Sequence, residues 1–297
     1  MDPDIRRRRL LLGCFVLGAA VVAVVLAVVL GGGGGTVTSS EAVATAGLQH
    51  LDPASDTAEA PARTTTSADA GAPAPPPLPL AGKTVAIDPG HNGANGSHPS
   101  EINRQVDIGN GRKACDTAGA ETAGGYTESQ YTLDVALRVR RVLRRLGARV
   151  VMTRTTNDGV GPCINERARI GNQAHADAAV SIHADGGPTS GRGFHVIYPQ
   201  AIPGLTDDIA TASRRLAVDL RATYQHGTGI PRADYIGSGG LDVRGDLGGL
   251  NLSDVPKVFI ETGNMNNATD ASRLTDARFR QSAAISIAAG IERFLQG

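Results

Sequence analysis

The chain carries no net charge: 29 basic side chains balance 29 acidic ones over 297 residues. With no global field to draw in a polyanion, nucleic acid is excluded as a partner on charge grounds. Internal repeats are missing, so a solenoid or array is not expected. Cysteine is scarce, three in all, and none has a CxxC neighbour that would build a thiolate zinc cluster. No HExxH or comparable compact metal motif occurs either. Any metal or catalytic chemistry must therefore be assembled from residues distant in sequence.

The charge that is present is unevenly placed. Arg6, Arg7, Arg8 and Arg9 precede Leu10–Leu30, a run without a single charge. At about 1.5 Å rise per residue such a run covers roughly the 30 Å hydrocarbon core of a bilayer. The basic flank predicts a cytosolic N-terminus (residues 1–9) and export of everything after the run. Cleaved signals have a shorter apolar region of about 7–15 residues, so residues 10–30 read as a transmembrane anchor. If the segment is instead a cleaved signal, Val43–Ala46 offers a cut site and the protein is secreted. Cys14 comes too early in the run for a lipoprotein box and reads as a small residue in the membrane segment. Residues 31–80 are rich in Gly, Ala, Thr, Ser and Pro and end in APAPPPLP. They hold too little apolar surface to offset their ordering entropy. This linker, if fully flexible, reaches roughly 35–45 Å r.m.s.. Cys115 and Cys163 fall in the exported part, where disulfides persist, and are predicted to be bridged.

Residues 81–297 form one unit large enough for a substantial core. Short β-branched runs at Lys83–Asp88, Ala148–Thr153, Ala178–His183, Gly193–Tyr198 and Val255–Glu261 read as strands. Between them, Gln130–Leu146, Ile164–His175, Asp207–Gln225 and Ala277–Leu295 carry helical apolar spacing. This alternation predicts an α/β fold: a single domain with a twisted, mostly parallel central sheet flanked by helices. In such sheets the active site gathers at the carboxyl ends of the strands.

Three of these strands run into a chemically active side chain. Lys83–Asp88 leads through Pro-Gly to His91, Ala178–Ile182 ends at His183, and Lys257–Ile260 ends at Glu261. Glu128 opens the first long helix. Each has an ordinary reading taken alone. Glu128 complements the helix dipole behind Thr127 as N-cap, and a strand-end histidine is usually a satisfied polar group. Glu261, beside Phe259 and Ile260, would be a buried carboxylate, which is costly without a partner. Together, two imidazoles and a carboxylate make a catalytic zinc set with a fourth position open. A second carboxylate then serves as general base toward a water whose pKa zinc brings to about 7. The chemistry implied is metal-assisted hydrolysis of an amide or ester. The spacing, 37 positions from His91 to Glu128 and 55 onward to His183, identifies the metal only weakly.

The stretches GKTVAIDPGHNG, TESQYTLDVALRVRRVL, SIHAD and VPKVFIETGNMNNATDASRL resemble the zinc-dependent N-acetylmuramoyl-L-alanine amidases of the amidase-3 type, from about residue 81 to 295. The resemblance implies cleavage of the amide between the lactyl group of N-acetylmuramic acid and L-alanine of the peptidoglycan stem peptide. It further implies one Zn2+ held by His91, Glu128 and His183, with Glu261 as the catalytic glutamate. Asn264 departs from the family pattern, which usually has a large apolar residue there. With no separate wall-binding repeat, contacts to stem peptide and glycan are expected from the catalytic domain, acting as a monomer. Arg244, in LDVRGD, is expected to meet stem-peptide carboxylates, and His195 and Asn267 to support or touch substrate. The Gly/Asn/Ser-rich stretch from His91 to Glu128 reads as a loop near the cleft, ordered by the disulfide. Two other readings remain: a zinc exopeptidase, whose first histidine and glutamate usually lie only a few residues apart, and an inactive wall-binding module, expected to lack one of the four residues.

Overall fold

The computed structural model describes residues 76–297. The anchor, the cut site, Cys14 and nearly all of the linker read from the sequence lie outside these residues. Among the described residues, no helix is long and apolar enough to cross a membrane.

The first half of the domain holds β1 (Thr84–Pro89), α1 (Pro99–Ile102), β2 (Gln105–Asp107), β3 (Arg112–Ala114), α2 (Glu128–Arg145), β4 (Arg149–Met152) and α3 (Ile164–Gln173). The second half holds β5 (Ala178–Asp185), β6 (His195–Pro199), α4 (Ala210–Thr228), β7 (Leu241–Arg244), α5 (Gly248–Asn251), β8 (Lys257–Asn264), α6 (Ala268–Leu274) and α7 (Ala277–Gln296). Six strands make the central sheet in the order β4-β1-β5-β8-β6-β7. The four from β4 to β8 run parallel, as expected of strands joined through helices. The β6–β8 seam is antiparallel, and β6 and β7 run together against the other four.

One face of the sheet carries most of the core. Helix α2 presents Tyr131, Val135, Ala136, Val139 and Leu143, the stripe its 3.6-residue spacing foretells. Beside it, α4 contributes Leu216, Leu220 and Tyr224, and α7 contributes Ala284, Ile287 and Ile291. The opposite face is lined by small side chains, Ala86, Ala176 and Ala179, with Val255, and α3 packs there on β1 and β4. Leu80, placed at the end of the linker by composition, is buried, and its N–H donates to the Leu146 carbonyl at 2.8 Å.

The stretch read as a loop between His91 and Glu128 contains structure of its own. It folds into α1 and the antiparallel β2–β3 hairpin, and Cys115 is bridged to Cys163. The disulfide anchors this excursion to the residue that caps α3. Strand β7 was not anticipated either, and Arg244 ends it at the edge of the sheet.

Candidate active site

Strand register brings the dispersed residues together. His183 on β5 is paired with Glu261 on β8, and Glu261 with His195 on β6. The three side chains therefore stand in one row across adjacent strands at the carboxyl end of β5 and β8. His91 follows the end of β1, in a left-handed backbone conformation with φ +57°, unusual for a residue with a Cβ. Glu128 reaches the same point from the first turn of α2. That helix starts where it does because Thr127 and Gln130 form a capping box, each side chain bonded to the other's backbone N–H.

Glu128 lies between the two imidazoles. Its Oε1 meets His183 Nδ1 at 3.0 Å, and its Oε2 meets His91 Nε2 at 3.2 Å. Backbone N–H groups of Ala184 and Ala120 donate to the same two oxygens, at 3.1 and 2.8 Å. One ligand atom from each of His91, Glu128 and His183 can be chosen so that all lie within 4.8 Å of one another. Burial by itself would raise the Glu128 carboxyl, but the two imidazoles override it and hold the group well below the usual carboxylate range. Burial would likewise lower His91, yet Glu128 and Asp116 outweigh it and raise the imidazole well above its ordinary value. The locus thus demands positive charge, and the donor set is the one zinc prefers in catalytic sites. The residues fit a metal ion.

Backbone geometry leaves little slack around these groups. A Cβ on Gly119, at φ +83°, would come within 2.9 Å of His91 Cδ2 and 3.0 Å of Glu128 Oε2, so only glycine fits. The His183 ring stacks on Phe259 with centroids 5.2 Å apart.

A buried polar layer beneath the site escaped the sequence reading. Arg167 donates to Asp88 at 2.8 Å, to Asp116 at 3.0 Å, and to the carbonyls of Pro89, His91 and Pro162. Asp88 also accepts from Ser181 and Thr153. Burial acts against its charge, but Arg167 and Lys257 keep its carboxyl far below the usual range. Arg154 donates to the carbonyls of Pro89 and Gly90, just before His91, and of Ser129, just after Glu128. The only signal available in the sequence was an arginine placed where its neighbours require burial, at the end of β4 and inside α3.

Glu261 is half-buried, and its Oε2, enclosed from solvent, has no hydrogen-bond partner among the described residues. Desolvation, reinforced by the charges of Glu128 and Asp185 and opposed by His91 and Arg244, raises its carboxyl well above the ordinary value. That places its affinity for protons in the direction a general base requires. A cleft of about 480 Å3 opens over the site, lined by Glu261, Asp185, Ile197, Arg244, Leu247 and Asn266 besides the three ligand candidates. Tyr235 donates to Asp185 at 2.8 Å and fixes that wall.

The residues expected to meet substrate occupy different settings. Arg244 lines the cleft but is engaged with both oxygens of Asp246, at 2.7 and 2.9 Å. His195 is buried beside Glu261, and burial pulls its imidazole below the ordinary value. The side chain of Asn267 caps α6 through Oδ1 and holds the Thr189 carbonyl through Nδ2, while its neighbour Asn266 faces the cleft. Asn264, the departure from the family pattern, is fully buried and its Nδ2 ties down the carbonyls of Pro188 and Gly191.

Residues 85–293 match the N-acetylmuramoyl-L-alanine amidase family Amidase 3. The chain is 44% identical over 217 residues to the N-acetylmuramoyl-L-alanine amidase Rv3717 of Mycobacterium tuberculosis, covering 73% of this chain and 88% of that protein. The crystal structure of the N-acetylmuramyl-L-alanine amidase Ami1 from Mycobacterium smegmatis superposes with a TM-score of 0.69 at 45% identity, covering 73% of this chain and 98% of that one. The apo form of Ami1 from Mycobacterium abscessus gives 0.68 at 44% identity, with 73% and 100% covered. LytC of Bacillus subtilis, 29% identical over 209 residues, is a longer protein of which the match spans 34%. The chain belongs to the N-acetylmuramoyl-L-alanine amidase family.

Proposed function

We infer that the domain is a peptidoglycan amidase: it hydrolyses the amide joining N-acetylmuramic acid to L-alanine of the stem peptide. The observation that carries this is the meeting of His91, Glu128 and His183 at one buried point, with Glu261 unpartnered beside them in the same cleft. His91, Glu128 and His183 would hold a zinc ion. Bound there, zinc supplies Lewis-acid polarisation of the scissile carbonyl and a hydrolytic water acidic enough to ionise near neutral pH.

The chain's own side chains do the rest. Glu261, which lines the cleft, takes a proton from the attacking water and returns it to the departing alanine nitrogen. Glu128 stays ionised between the two imidazoles and keeps both rings aimed at one point. The half-buried cation of Arg244 sits in the cleft wall where stem-peptide carboxylates would lie. His195 packs against the base from the next strand and limits its access to bulk water.

Digestion of purified peptidoglycan followed by mass spectrometry tests this reading. Release of intact stem peptides beginning with L-alanine is expected. Glu261→Gln should lower the rate about 10²–10⁴-fold, the usual worth of a general base. Stepwise loss of terminal residues would mark an exopeptidase instead, and a chain that holds no zinc would refute the metal assignment.

The uncharged run Leu10–Leu30 behind four arginines supports an exported domain tethered on the wall side of the plasma membrane. Release of the domain by protease added to intact wall-stripped cells is expected. Recovery of the protein in the cytosol would overturn that placement.

A further inference from the structure

Asp116 and Arg167 meet at His91 from two sides, Asp116 at its ring nitrogen and Arg167 at its backbone carbonyl. The His91 Nδ1 is flanked by two acceptors, Asp116 Oδ1 at 3.1 Å and the Thr117 carbonyl at 3.1 Å. Nδ1 is therefore the nitrogen that keeps its hydrogen, and Nε2, facing Glu128, is the one left to a metal. Asp116 is itself oriented by the Thr117 N–H on Oδ1, at 2.8 Å, and by Arg167 on Oδ2. The same guanidinium donates to the His91 carbonyl at 3.1 Å and so holds the left-handed backbone that points this ring inward. The disulfide stands directly behind the pair. Cys115 precedes Asp116, while Cys163 caps α3, the helix that carries Arg167. Two further bonds tie the same segments, from Ile164 N–H to the Cys115 carbonyl and from Arg167 Nε to the Pro162 carbonyl.

We propose that Asp116 and Arg167 are positioning residues of the amidase, fixing the tautomer and direction of His91, and that the Cys115–Cys163 bridge clamps them together. The inference rests on His91 being a metal ligand. Its physical basis is that an imidazole binds a metal best when its other nitrogen donates to a carboxylate, which removes the wrong tautomer and the rotational search. Arg167 cannot be replaced by a point charge, because its planar fork serves two carboxylates and three carbonyls at once.

The test uses the full-length protein, stripped of metal and titrated with zinc against a competing chelator. Asp116→Asn keeps the shape of the side chain and leaves Arg167 its bond to Asp88. It is expected to weaken zinc binding about 10–100-fold, with the melting temperature of the metal-free protein nearly unchanged and KM at saturating zinc unaltered. Side-chain ¹⁵N spectra of the zinc-loaded protein should show the His91 hydrogen on Nδ1, slow to exchange in the parent and exchanging faster in the variant. Arg167→Lys, if it folds, should weaken zinc binding in the same direction, and so should Cys115→Ser combined with Cys163→Ser. Unchanged zinc affinity in Asp116→Asn would overturn the proposal. So would a loss of affinity matched by collapse of the metal-free melting transition, which would make the role purely structural. A parent protein that binds no zinc would instead refute the metal assignment itself.

Discussion

A Cβ placed on Gly90 would lie 2.2 Å from Cε1 of the His183 imidazole. The backbone at Gly90 has nowhere to retreat, because its carbonyl accepts from both Thr132 and Arg154 and its N–H donates to Ile182. The ring must move instead.

Gly90→Ala is accordingly expected to displace His183 from Glu128 and to lower amidase activity by about 10²-fold or more, the scale set by a 1 Å misplacement of a reacting group. Zinc content after dialysis and turnover of purified peptidoglycan check this. Full activity in the alanine variant would mean that the row of His183 and Glu261 tolerates sideways movement.

Glu261 makes stability depend on pH in a defined direction. Its carboxyl is raised in the folded, metal-free protein, chiefly by burial, so the folded state binds more protons than the unfolded chain above about pH 4.3, the usual glutamate value. Stability contributed by the neutral form is full below that pH and is lost as pH rises through the folded value. Glu261→Gln removes this dependence. The melting temperature of the metal-free variant should match the parent near pH 4 and exceed it increasingly toward neutral pH.

Arg244 acts on Glu261 as well as on the cleft, since its charge lowers the Glu261 carboxyl. Arg244→Ala should therefore move the acidic limb of the kcat/KM profile to higher pH. If the guanidinium meets stem-peptide carboxylates, KM rises about tenfold while kcat changes less. A profile and KM both identical to the parent would remove Arg244 from the cleft's working groups.

The Cys115–Cys163 bridge closes a loop with a sequence separation of 48. On the chain-entropy account such a loop contributes about 4 kcal/mol, so replacing both cysteines with alanine should lower the melting temperature by on the order of 10 °C. Calorimetry under non-reducing conditions measures it.

Much of this architecture was legible in the sequence because its cause is local. The helical stripe from Tyr131 to Leu143 and the buried runs of β1, β5 and β8 follow from side-chain periodicity, which each segment carries by itself. His91, His183 and Glu261 were visible because each follows an apolar strand directly, and Glu128 because Thr127 marks a helix start. Strand β7 carried no such signal: it has four residues, of which only Val243 is apolar besides Leu241, and none is fully buried. Asp88, Asp116, Arg154 and Arg167 were missed for a different reason. Arg167 meets Asp88 across 79 positions and Asp116 across 51, and a charge reads as exposed until its partner is known.

What the sequence determined by itself is the main strands and long helices and the four candidate side chains, since periodicity, capping and strand ends are properties of short stretches. What only the tertiary structure decided is their relation to one another. Strand order and the antiparallel β6–β8 seam place Glu261 between His183 and His195. The buried ion network then aims His91 at Glu128. Both depend on contacts between distant segments, whose energies appear only once the chain has closed around them.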